Sequence, residues 1–258
     1  MLEKTAYLLV YHGSRDPRPQ KEMAWLGAEV QDKLTARSML TKKNSERTAV
    51  LTKPPQPLVH TAALELAPLS LEATIAQLVP QLEANGISHL QIIPLFLLAG
   101  VHVREDIPAA VENAKLMVGD TVTMTISPYL GRSPFLAQKL QASFSNDRKQ
   151  FAKIIISHGS RRSGGNTAIE ALGKQLGVNT AYWSVSPTLS EKVKALVHKG
   201  ESNIEIIPYF LFPGGITDAI KLQVESLQMQ FPTVGFYFGN PLSSRLSLAD
   251  LIINEITL

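Results

Sequence analysis

The sequence predicts an α/β protein made of two tandem copies of one small domain, each with a parallel four-stranded sheet flanked by helices. Apolar β-type runs such as Tyr7–Tyr11 alternate with helical segments along the chain, which is typical of βα units and parallel sheets. The runs are apolar throughout, as expected when helices cover both faces of a sheet. A third observation, the repetition of motifs in the same order, predicts the duplication.

The repetition is clearest in the motif His-Gly-Ser-Arg, which ends an apolar run at residues 12–15 and again at residues 158–161. The segment LQIIPLFLLAGVHVREDI, residues 90–107, resembles IEIIPYFLFPGGITDAI, residues 204–220. We therefore predict one domain over residues 1–146 and a second over residues 147–258, related by internal duplication.

The two copies differ by an insertion. His12 and His158 are 146 residues apart, whereas Pro94 and Pro208 are 114 apart, so the first copy holds 32 more residues between these landmarks. Most of them fall between Thr35 and Leu58, a segment rich in Lys, Thr, Ser and Pro that lacks a sustained apolar face. This composition predicts a surface loop over about residues 36–57.

The order of apolar and polar segments predicts eight strands and eight helices. The predicted strands lie near 5–11, 58–64, 89–95 and 121–127, then 152–157, 180–185, 203–209 and 233–238. The predicted helices lie near 19–35, 70–84, 104–117 and 133–145, then 166–176, 188–199, 216–229 and 243–256. Ligands of such folds bind beyond the carboxyl ends of the strands.

The composition excludes several classes of site. The chain has no cysteine, which excludes disulfides, thiolate metal sites, Fe–S clusters and a cysteine nucleophile, and fits a reducing compartment. The first strand begins by Thr5, too early for a secretory signal, and the longest apolar run, Ile92–Val101, is too short to span a bilayer. The formal charge of +3 is too mild for a nucleic-acid protein. We therefore expect a cytoplasmic protein that binds neither membrane nor nucleic acid.

Two histidines lie where a ligand is expected. His12 follows the first strand, and His102 follows the third strand just before a helix. A histidine there can be a metal ligand, a base or a satisfied core residue, but two imidazoles at neighbouring strand ends can converge on one ion. Imidazole suits Fe, Co, Ni, Cu or Zn. Two ligands are too few for a closed structural site, so they favour an ion that is picked up and released.

Glu65 follows the second strand and is the one carboxylate in the run from Leu58 to Leu69. It can accept protons or help to hold the metal, and the alternative is a solvated edge carboxylate. The second copy keeps His158, but its match to Glu65 is Trp183 or Ser184, and its match to His102 is Ile216 or a neighbour. One working site in the first copy, with a degenerate second copy, explains this asymmetry better than drift.

The sequence gives no comparable reason to assign a functional role to the remaining histidines or to the phenylalanines, and it lacks several known catalytic motifs. His60, His89 and His198 lack this context and are predicted to be surface residues, whereas Phe96, Phe210 and Phe212 are predicted to be core residues. The sequence has no G-x-S-x-G elbow, no Walker A or G-x-G-x-x-G loop and no H-E-x-x-H motif.

The ordered motifs resemble the class II tetrapyrrole chelatases, which include the sirohydrochlorin chelatases known as CbiX and SirB. The resemblance is carried by HGSR after the first strand, LEL…P after the second, and PLFLLAGVHVREDIP after the third. It covers nearly the whole chain and includes the duplication. It implies two tandem chelatase-like domains and a lyase that inserts Co²⁺ or Fe²⁺ into sirohydrochlorin without ATP, for cobalamin or siroheme biosynthesis.

The resemblance also implies roles for residues. His12 and His102 resemble the metal-binding pair of the family and Glu65 its acidic residue, whereas no metal role is carried over to His158. Sirohydrochlorin is anionic, and the residues expected to bind its carboxylates are Ser14, Arg15, His158, Ser160, Arg161 and Arg162. We expect the divalent metal to be a substrate, with no organic cofactor and no Fe–S cluster, and the fused duplication favours a monomer.

Two other functions compete with the chelatase. A non-catalytic carrier of metal or tetrapyrrole on the same scaffold would bind its ligand without turnover. A phosphate-ester hydrolase using the HGSR loops would need a nucleophile or a two-metal carboxylate cluster, and the sequence shows neither.

Overall fold

The computed structural model describes residues 4–43 and 58–256. The first copy contains β1 (Thr5–Tyr11), α1 (Pro17–Lys43), β2 (Leu58–Ala63), α2 (Leu71–Ala84), β3 (His89–Pro94), a π-helical turn (His102–Asp106), α3 (Ile107–Val118), β4 (Thr123–Ile126) and α4 (Pro134–Ala142). The second copy contains β5 (Ala152–Ser157), α5 (Thr167–Leu176), β6 (Asn179–Tyr182), α6 (Leu189–His198), β7 (Asn203–Pro208), α7 (Gly215–Gln230), β8 (Gly235–Phe238), α8 (Leu242–Arg245) and α9 (Leu248–Ile256).

The strands form two sheets of the same design, which confirms the predicted fold class. One sheet has the order β2-β1-β3-β4 and the other β6-β5-β7-β8, and the strands of each are parallel. In the first sheet the central strand β1 buries Leu8, Leu9 and Val10 completely. Apolar side chains on successive residues of one strand point to opposite faces, so both faces of the sheet are covered.

The chain divides by contacts into two compact units that do not coincide with the two repeats. The first unit runs to Ser133 and also includes the segment from Leu248, so it contains α9; the second unit, Pro134–Ser247, contains α4. Within the first unit, α9 packs against α1, and Lys33 Nζ lies 2.9 Å from Asp250 Oδ1. The predicted boundary between residues 146 and 147 concerns the repeats and stays a prediction.

Two predicted helices are wrong in their bounds. The helix predicted to end at residue 35 continues to Lys43, so the predicted loop is helical over residues 36–43, and its remainder, residues 44–57, lies outside the described residues. Residues 36–43 contain neither Gly nor Pro, so the helix has no reason to stop even where it lacks an apolar face. The helix predicted over 243–256 is two helices, because Leu246 between α8 and α9 adopts an extended conformation.

None of the helices in residues 4–43 and 58–256 combines the length and the hydropathy needed to cross a bilayer.

Candidate metal site

His12 and Glu65 lie side by side because the parallel ladder continues past the ends of the strands. The backbone N–H of Leu64 donates to the carbonyl of Tyr11 at 2.8 Å, and that of Glu65 donates to the carbonyl of His12 at 3.0 Å. His12 directly follows β1, and Glu65 comes two residues after β2 ends. Both side chains are therefore carried by backbone that the sheet itself holds in place.

The glycine after His12 makes this close approach possible. Gly13 has a φ of +94°, and a Cβ at this position would lie 1.9 Å from the carbonyl oxygen of Glu65. A residue with a side chain is therefore unfavourable at position 13 for two reasons, the backbone conformation and the contact with the Glu65 carbonyl oxygen. Gly159, after His158, has a φ of +81°, and its Cβ would lie 2.8 Å from Tyr182 Cβ.

The serines of the two motifs form the same turn. The backbone N–H of Asp16 donates to Ser14 Oγ at 3.0 Å, and the backbone N–H of Arg162 donates to Ser160 Oγ at 3.2 Å. Side-chain oxygens of Ser often accept from the N–H two residues later and so stabilise turns. The repeated Gly and Ser therefore have a shared structural role, which explains why both copies keep them.

His102 completes a three-residue cluster in the first unit. Its ring is 4.8 Å from the ring of His12, centroid to centroid, at an angle of 87°. His102 Nδ1 lies 3.8 Å from Glu65 Oε1. One nitrogen or carboxylate oxygen from each of the three residues lies within 4.8 Å of the others, so the structure brings together the three side chains that the sequence singled out.

The cluster is exposed at His12 and Glu65 and half-buried at His102. The Glu65 side chain is 50% exposed, whereas the His102 side chain is 28% exposed. Ligand atoms around an ion held at about 2.1 Å lie roughly 3.5 Å apart, so the three groups, whose ligand atoms lie within 4.8 Å of one another, would have to draw closer together to bind an ion. Three ligands leave coordination positions free for an incoming group.

Hydrogen bonds orient both imidazole rings. His12 Nδ1 lies 3.2 Å from the carbonyl of Gly13, and His102 Nδ1 lies 2.6 Å from Asp106 Oδ2. When Nδ1–H donates to an oxygen, Nε2 carries the lone pair and is the nitrogen available to a metal. The sequence reasoning missed Asp106, although a spacing of four residues from His102 before a predicted helix was a usable signal.

Phe96 is a second neighbour that the sequence reasoning missed. Its ring centroid is 6.4 Å from that of His12 and 6.0 Å from that of His102. It packs against the hydrophobic core as predicted, and it also borders the cluster. Phe96 follows β3 by two residues, so its position at the carboxyl end of the strand was the available signal.

The second unit lacks two of the three groups. The backbone N–H of Ser184 donates to the carbonyl of His158 at 2.9 Å, so Ser184, rather than Trp183, matches Glu65. Counting on from the matched prolines of β3 and β7, Ile216 matches His102. The exposed His158 therefore has neither a carboxylate nor a second imidazole at the matching positions.

The residues predicted to bind substrate carboxylates are divided between the units. Ser14 and Arg15 are exposed on the loop after His12 in the first unit. In the second unit His158, Arg161 and Arg162 are exposed and Ser160 is half-buried. Ser14 and Arg15 thus lie on the HGSR loop of the first unit, and the other four residues lie on the HGSR loop of the second unit.

Hydrogen bonds stabilise both of these loops. In the first, Arg18 donates to the Asp16 carboxylate from its backbone and its guanidinium, which lowers the pKa of Asp16 to about 2. In the second, the amide of Asn166 accepts from the N–H of Ser160 at 2.8 Å and donates to the carbonyl of Ser160 at 3.1 Å.

Two histidines predicted to lie on the surface are partly buried. His60 lies within β2, and its Nε2 is buried without a hydrogen-bond partner among the described residues. His89 bridges Thr5 Oγ1 at 3.1 Å and Thr125 Oγ1 at 2.7 Å. The predicted strands 58–64 and 89–95 already contained both residues, so their partial burial follows from their places in the sheet, whereas His198, at the end of α6, is exposed as predicted.

Comparison with known proteins matches both copies to one family. The CbiX family model matches residues 6–146 and again residues 152–257. The two matched segments agree with the duplication seen in the two sheets.

Three curated relatives are sirohydrochlorin chelatases. The chain is 26% identical to a sirohydrochlorin cobaltochelatase of Priestia megaterium over 200 residues, which is 70% of this chain and 64% of the relative. It is 27% identical to the chloroplastic sirohydrochlorin ferrochelatase of Arabidopsis thaliana over 40% of this chain and 50% of the relative. It is 22% identical to a sirohydrochlorin ferrochelatase of Priestia megaterium over 78% of this chain and 77% of the relative. The chain thus spans less than two thirds of the first two relatives.

Solved structures share the fold. SirB from Bacillus subtilis with Fe³⁺ matches with a TM-score of 0.75 and 20% identity, over 98% of this chain and 94% of that one. CbiX from denitrifying bacteria matches with a TM-score of 0.62 and 17% identity, over 98% of each chain. At these identities the likeness shows the fold alone.

Proposed function

The chain belongs to the CbiX family, and from this we propose that it is a sirohydrochlorin chelatase, a lyase that inserts Co²⁺ or Fe²⁺ into sirohydrochlorin without ATP. The observation that carries the proposal is the cluster of His12, Glu65 and His102 at the carboxyl end of the first sheet. Sirohydrochlorin is the substrate named for the three curated relatives.

The chemistry of the cluster suits this reaction. Metal insertion replaces two pyrrole N–H protons with a divalent ion, so the site must deliver the ion and accept protons. Neutral His12 and His102 would present the ion through their Nε2 atoms in a partly open shell. Glu65 is exposed, and one of its carboxylate oxygens lies within 4.8 Å of a ring nitrogen of each histidine, so it can hold the ion, accept a proton, or do each in turn.

The substrate is expected to bind through its carboxylates. Ser14 and Arg15 follow His12 directly, so they are the groups of the first unit best placed to bind substrate next to the ion. Arg guanidinium groups bind carboxylates through paired hydrogen bonds, and the exposed Arg161 and Arg162 offer the same chemistry in the second unit. The metal is a substrate in this proposal, no organic cofactor takes part, and the protein acts as a monomer.

The test is anaerobic metallation of sirohydrochlorin, followed by visible absorption, with Co²⁺ and Fe²⁺ in parallel. We expect rates above the spontaneous rate that vanish in the variant His12→Ala/His102→Ala. Arg37→Ala, a change on α1, is the control expected to keep full activity.

Binding without turnover would replace the chelatase with a carrier. In that outcome the absorption spectrum shifts when sirohydrochlorin binds, but metallation is no faster with the protein than without it. The ratio of the two metallation rates reports the metal preference, for which the identity of the ligands is a poor guide, since imidazole binds Co²⁺ and Fe²⁺ similarly.

A further inference from the structure

We propose that Asp106 is a positioning residue of the metal site, which holds the ring of His102 in the tautomer that leaves Nε2 free to bind the ion. The inference rests on the proposed function of the cluster and adds a residue to it. Asp106 does not itself bind the metal in this proposal, because its carboxylate is the hydrogen-bond partner of Nδ1, whereas Nε2 is the nitrogen left for the ion.

The distances select Asp106 over Glu65 as the partner of the ring nitrogen. His102 Nδ1 is 2.6 Å from Asp106 Oδ2 but 3.8 Å from Glu65 Oε1. The shorter distance is that of a strong hydrogen bond to an ionised acceptor, whereas the longer one is outside hydrogen-bond range. The carboxylate of Asp106 can only accept, so a neutral His102 must carry its hydrogen on Nδ1.

Such a hydrogen bond prepares a histidine for metal binding. Metal-binding histidines usually donate their other ring N–H to a carboxylate or carbonyl, which fixes the tautomer and the ring orientation. His12 has a weaker version of this arrangement, because its Nδ1 lies 3.2 Å from the carbonyl of Gly13. The carboxylate makes His102 the more strongly oriented of the two rings.

The backbone conformation places the two residues together. His102 and Asp106 are the first and last residues of the π-helical turn, and the N–H of Ile107 donates to the carbonyl of His102 across it. A π turn adds one residue to a helical turn and is frequent at functional sites. Side chains four residues apart on a helix are neighbours, and in this turn the ring nitrogen and the carboxylate oxygen are 2.6 Å apart.

The second unit supports a link between the turn, the pair and the metal site. There Ile216 and Ile220 match His102 and Asp106, and both lie in α7, which is α-helical from Gly215 onward. Ile220 is completely buried in the core of its unit. The unit that lacks the carboxylate match of Glu65 also lacks the pair and the π turn.

The test measures the tautomer and the binding of Co²⁺ alone, in the full-length protein with ¹⁵N-labelled histidine. In the metal-free wild type we expect the nitrogen spectrum of His102, assigned by its loss in His102→Gln, to show a protonated Nδ1 and an unprotonated Nε2. In Asp106→Ala we expect the hydrogen to move to Nε2 and the affinity for Co²⁺ to fall by about 10- to 100-fold. Asp106→Asn, which keeps a neutral acceptor, should lose less.

Glu105→Gln is the matched control, since this neighbouring carboxylate lies in the same turn and is exposed. It should change neither the tautomer nor the affinity. An Nε2-protonated His102 in the wild type overturns the proposal, and so does wild-type Co²⁺ affinity in a folded Asp106→Ala. If Asp106→Ala does not fold, the wild-type tautomer and Asp106→Asn decide the question.

These readouts separate the inference from the proposed function. Both are made without sirohydrochlorin, so a protein that binds Co²⁺ through an oriented His102 but never metallates the substrate would retain the inference and lose the chelatase. If instead the protein metallates sirohydrochlorin, but Asp106→Ala changes neither the tautomer of His102 nor the affinity for Co²⁺, the chelatase is retained and the inference is lost.

Discussion

Gly13 shows how a single residue determines the geometry of the site. It connects His12 to the loop and lies close to the backbone carbonyl of Glu65. Its φ of +94° is unfavourable for any residue with a side chain. The close approach of residue 13 to the backbone of Glu65 therefore depends on the absence of a side chain at this position.

We expect Gly13→Ala to lower the free energy of unfolding by about 3 kcal/mol or more, because both backbone strain and a clash with the carbonyl of Glu65 must be relieved. Relief requires the strand ends to separate, so Co²⁺ affinity should fall as well. Urea unfolding and Co²⁺ titration measure the two effects.

Gly86→Ala is the control for backbone strain without a clash. Gly86 has a φ of +64°, but the nearest atom to an added Cβ is Lys4 Nζ at 3.6 Å. Its cost should be about 1 to 2 kcal/mol, with no change in Co²⁺ affinity. Equal losses in the two variants would contradict the role given to the Glu65 contact.

His60 gives a prediction for pH. Burial lowers its pKa below the usual value of 6.5, so the folded state holds this ring neutral more strongly than the unfolded state does. Below about pH 6.5 the unfolded state binds more protons, and stability must fall as the pH falls through the folded pKa.

The contribution of His60 is isolated by comparing wild type with His60→Gln. We expect the loss of unfolding free energy between about pH 7.5 and about pH 5 to be smaller in the variant, because the other titrating groups are common to both proteins. Denaturant unfolding at the two pH values provides the measurement, and identical losses would show that burial of His60 does not affect its titration.

At the scale of the elements, the strands were predictable and the helix ends were less so. Each predicted strand lies within about three residues of its observed bounds, because a run of buried apolar residues between turn residues has few other solutions. The end of α1 was missed because residues 36–43 continue a helix without an apolar face, and periodicity was the signal in use.

Some residues of the candidate site could likewise be predicted from the sequence, whereas another was missed. His12, Glu65 and His102 were found because parallel strands end on one edge, so residues after neighbouring strands must meet there. Asp106 was missed because the predicted helix began at residue 104, so His102 and Asp106 were not recognised as residues four apart on one helical face.

The second sheet holds a buried carboxylate among cations. Glu205, on β7, is fully buried, and the nearest cations are Arg148 and Arg245 at 3.6 Å and Lys153 at 3.9 Å. Its match in the first sheet is Gln91, whose amide donates to Ser127 Oγ at 2.8 Å. The second sheet thus uses charge where the first uses a neutral hydrogen bond.

We expect Glu205→Gln to lower the free energy of unfolding by about 3 kcal/mol, because it leaves the cations around the buried site without their counter-charge. A glutamine at this position is stabilised in the first sheet by its hydrogen bond to Ser127. It should not be stabilised in the second sheet, because the residue that matches Ser127 there is Gly239. Thermal and urea unfolding would show the loss, and a variant as stable as wild type would mean that the cations are already solvated.

At the scale of the whole molecule, the two sequence repeats and the two compact units have different boundaries. The duplication is visible in the sequence, but the assignment of α9 to the first unit is not, because an amphipathic helix shows that one face is buried without showing what it packs against. Its buried residues are Leu248, Ala249, Leu251, Ile252 and Ile253.

Truncation after Ser247 should therefore unfold the first unit, although the metal cluster lies in the other part of its sequence. Burying one large aliphatic side chain contributes about 1.5 to 3 kcal/mol, so losing four of them approaches the stability of a whole domain. Calorimetry should show loss of the transition of the first unit, and Co²⁺ binding should disappear with it.

Asp250→Asn is the control for this truncation. It removes the charge of Asp250 that faces Lys33 while keeping the apolar face of α9, and exposed ion pairs contribute about 1 kcal/mol or less. If this variant were as damaging as the truncation, packing of α9 would not be the cause.

The place of α9 in the chain also sets an order of assembly during synthesis. The first unit has its cluster near the start of the chain, but its last helix is translated after the entire second unit. A ribosome that has completed the second unit still carries a first unit with the face of α1 that contacts α9 uncovered. A chain that terminates before α9 would therefore contain every residue of the proposed metal site but would lack part of the core of the unit that carries it.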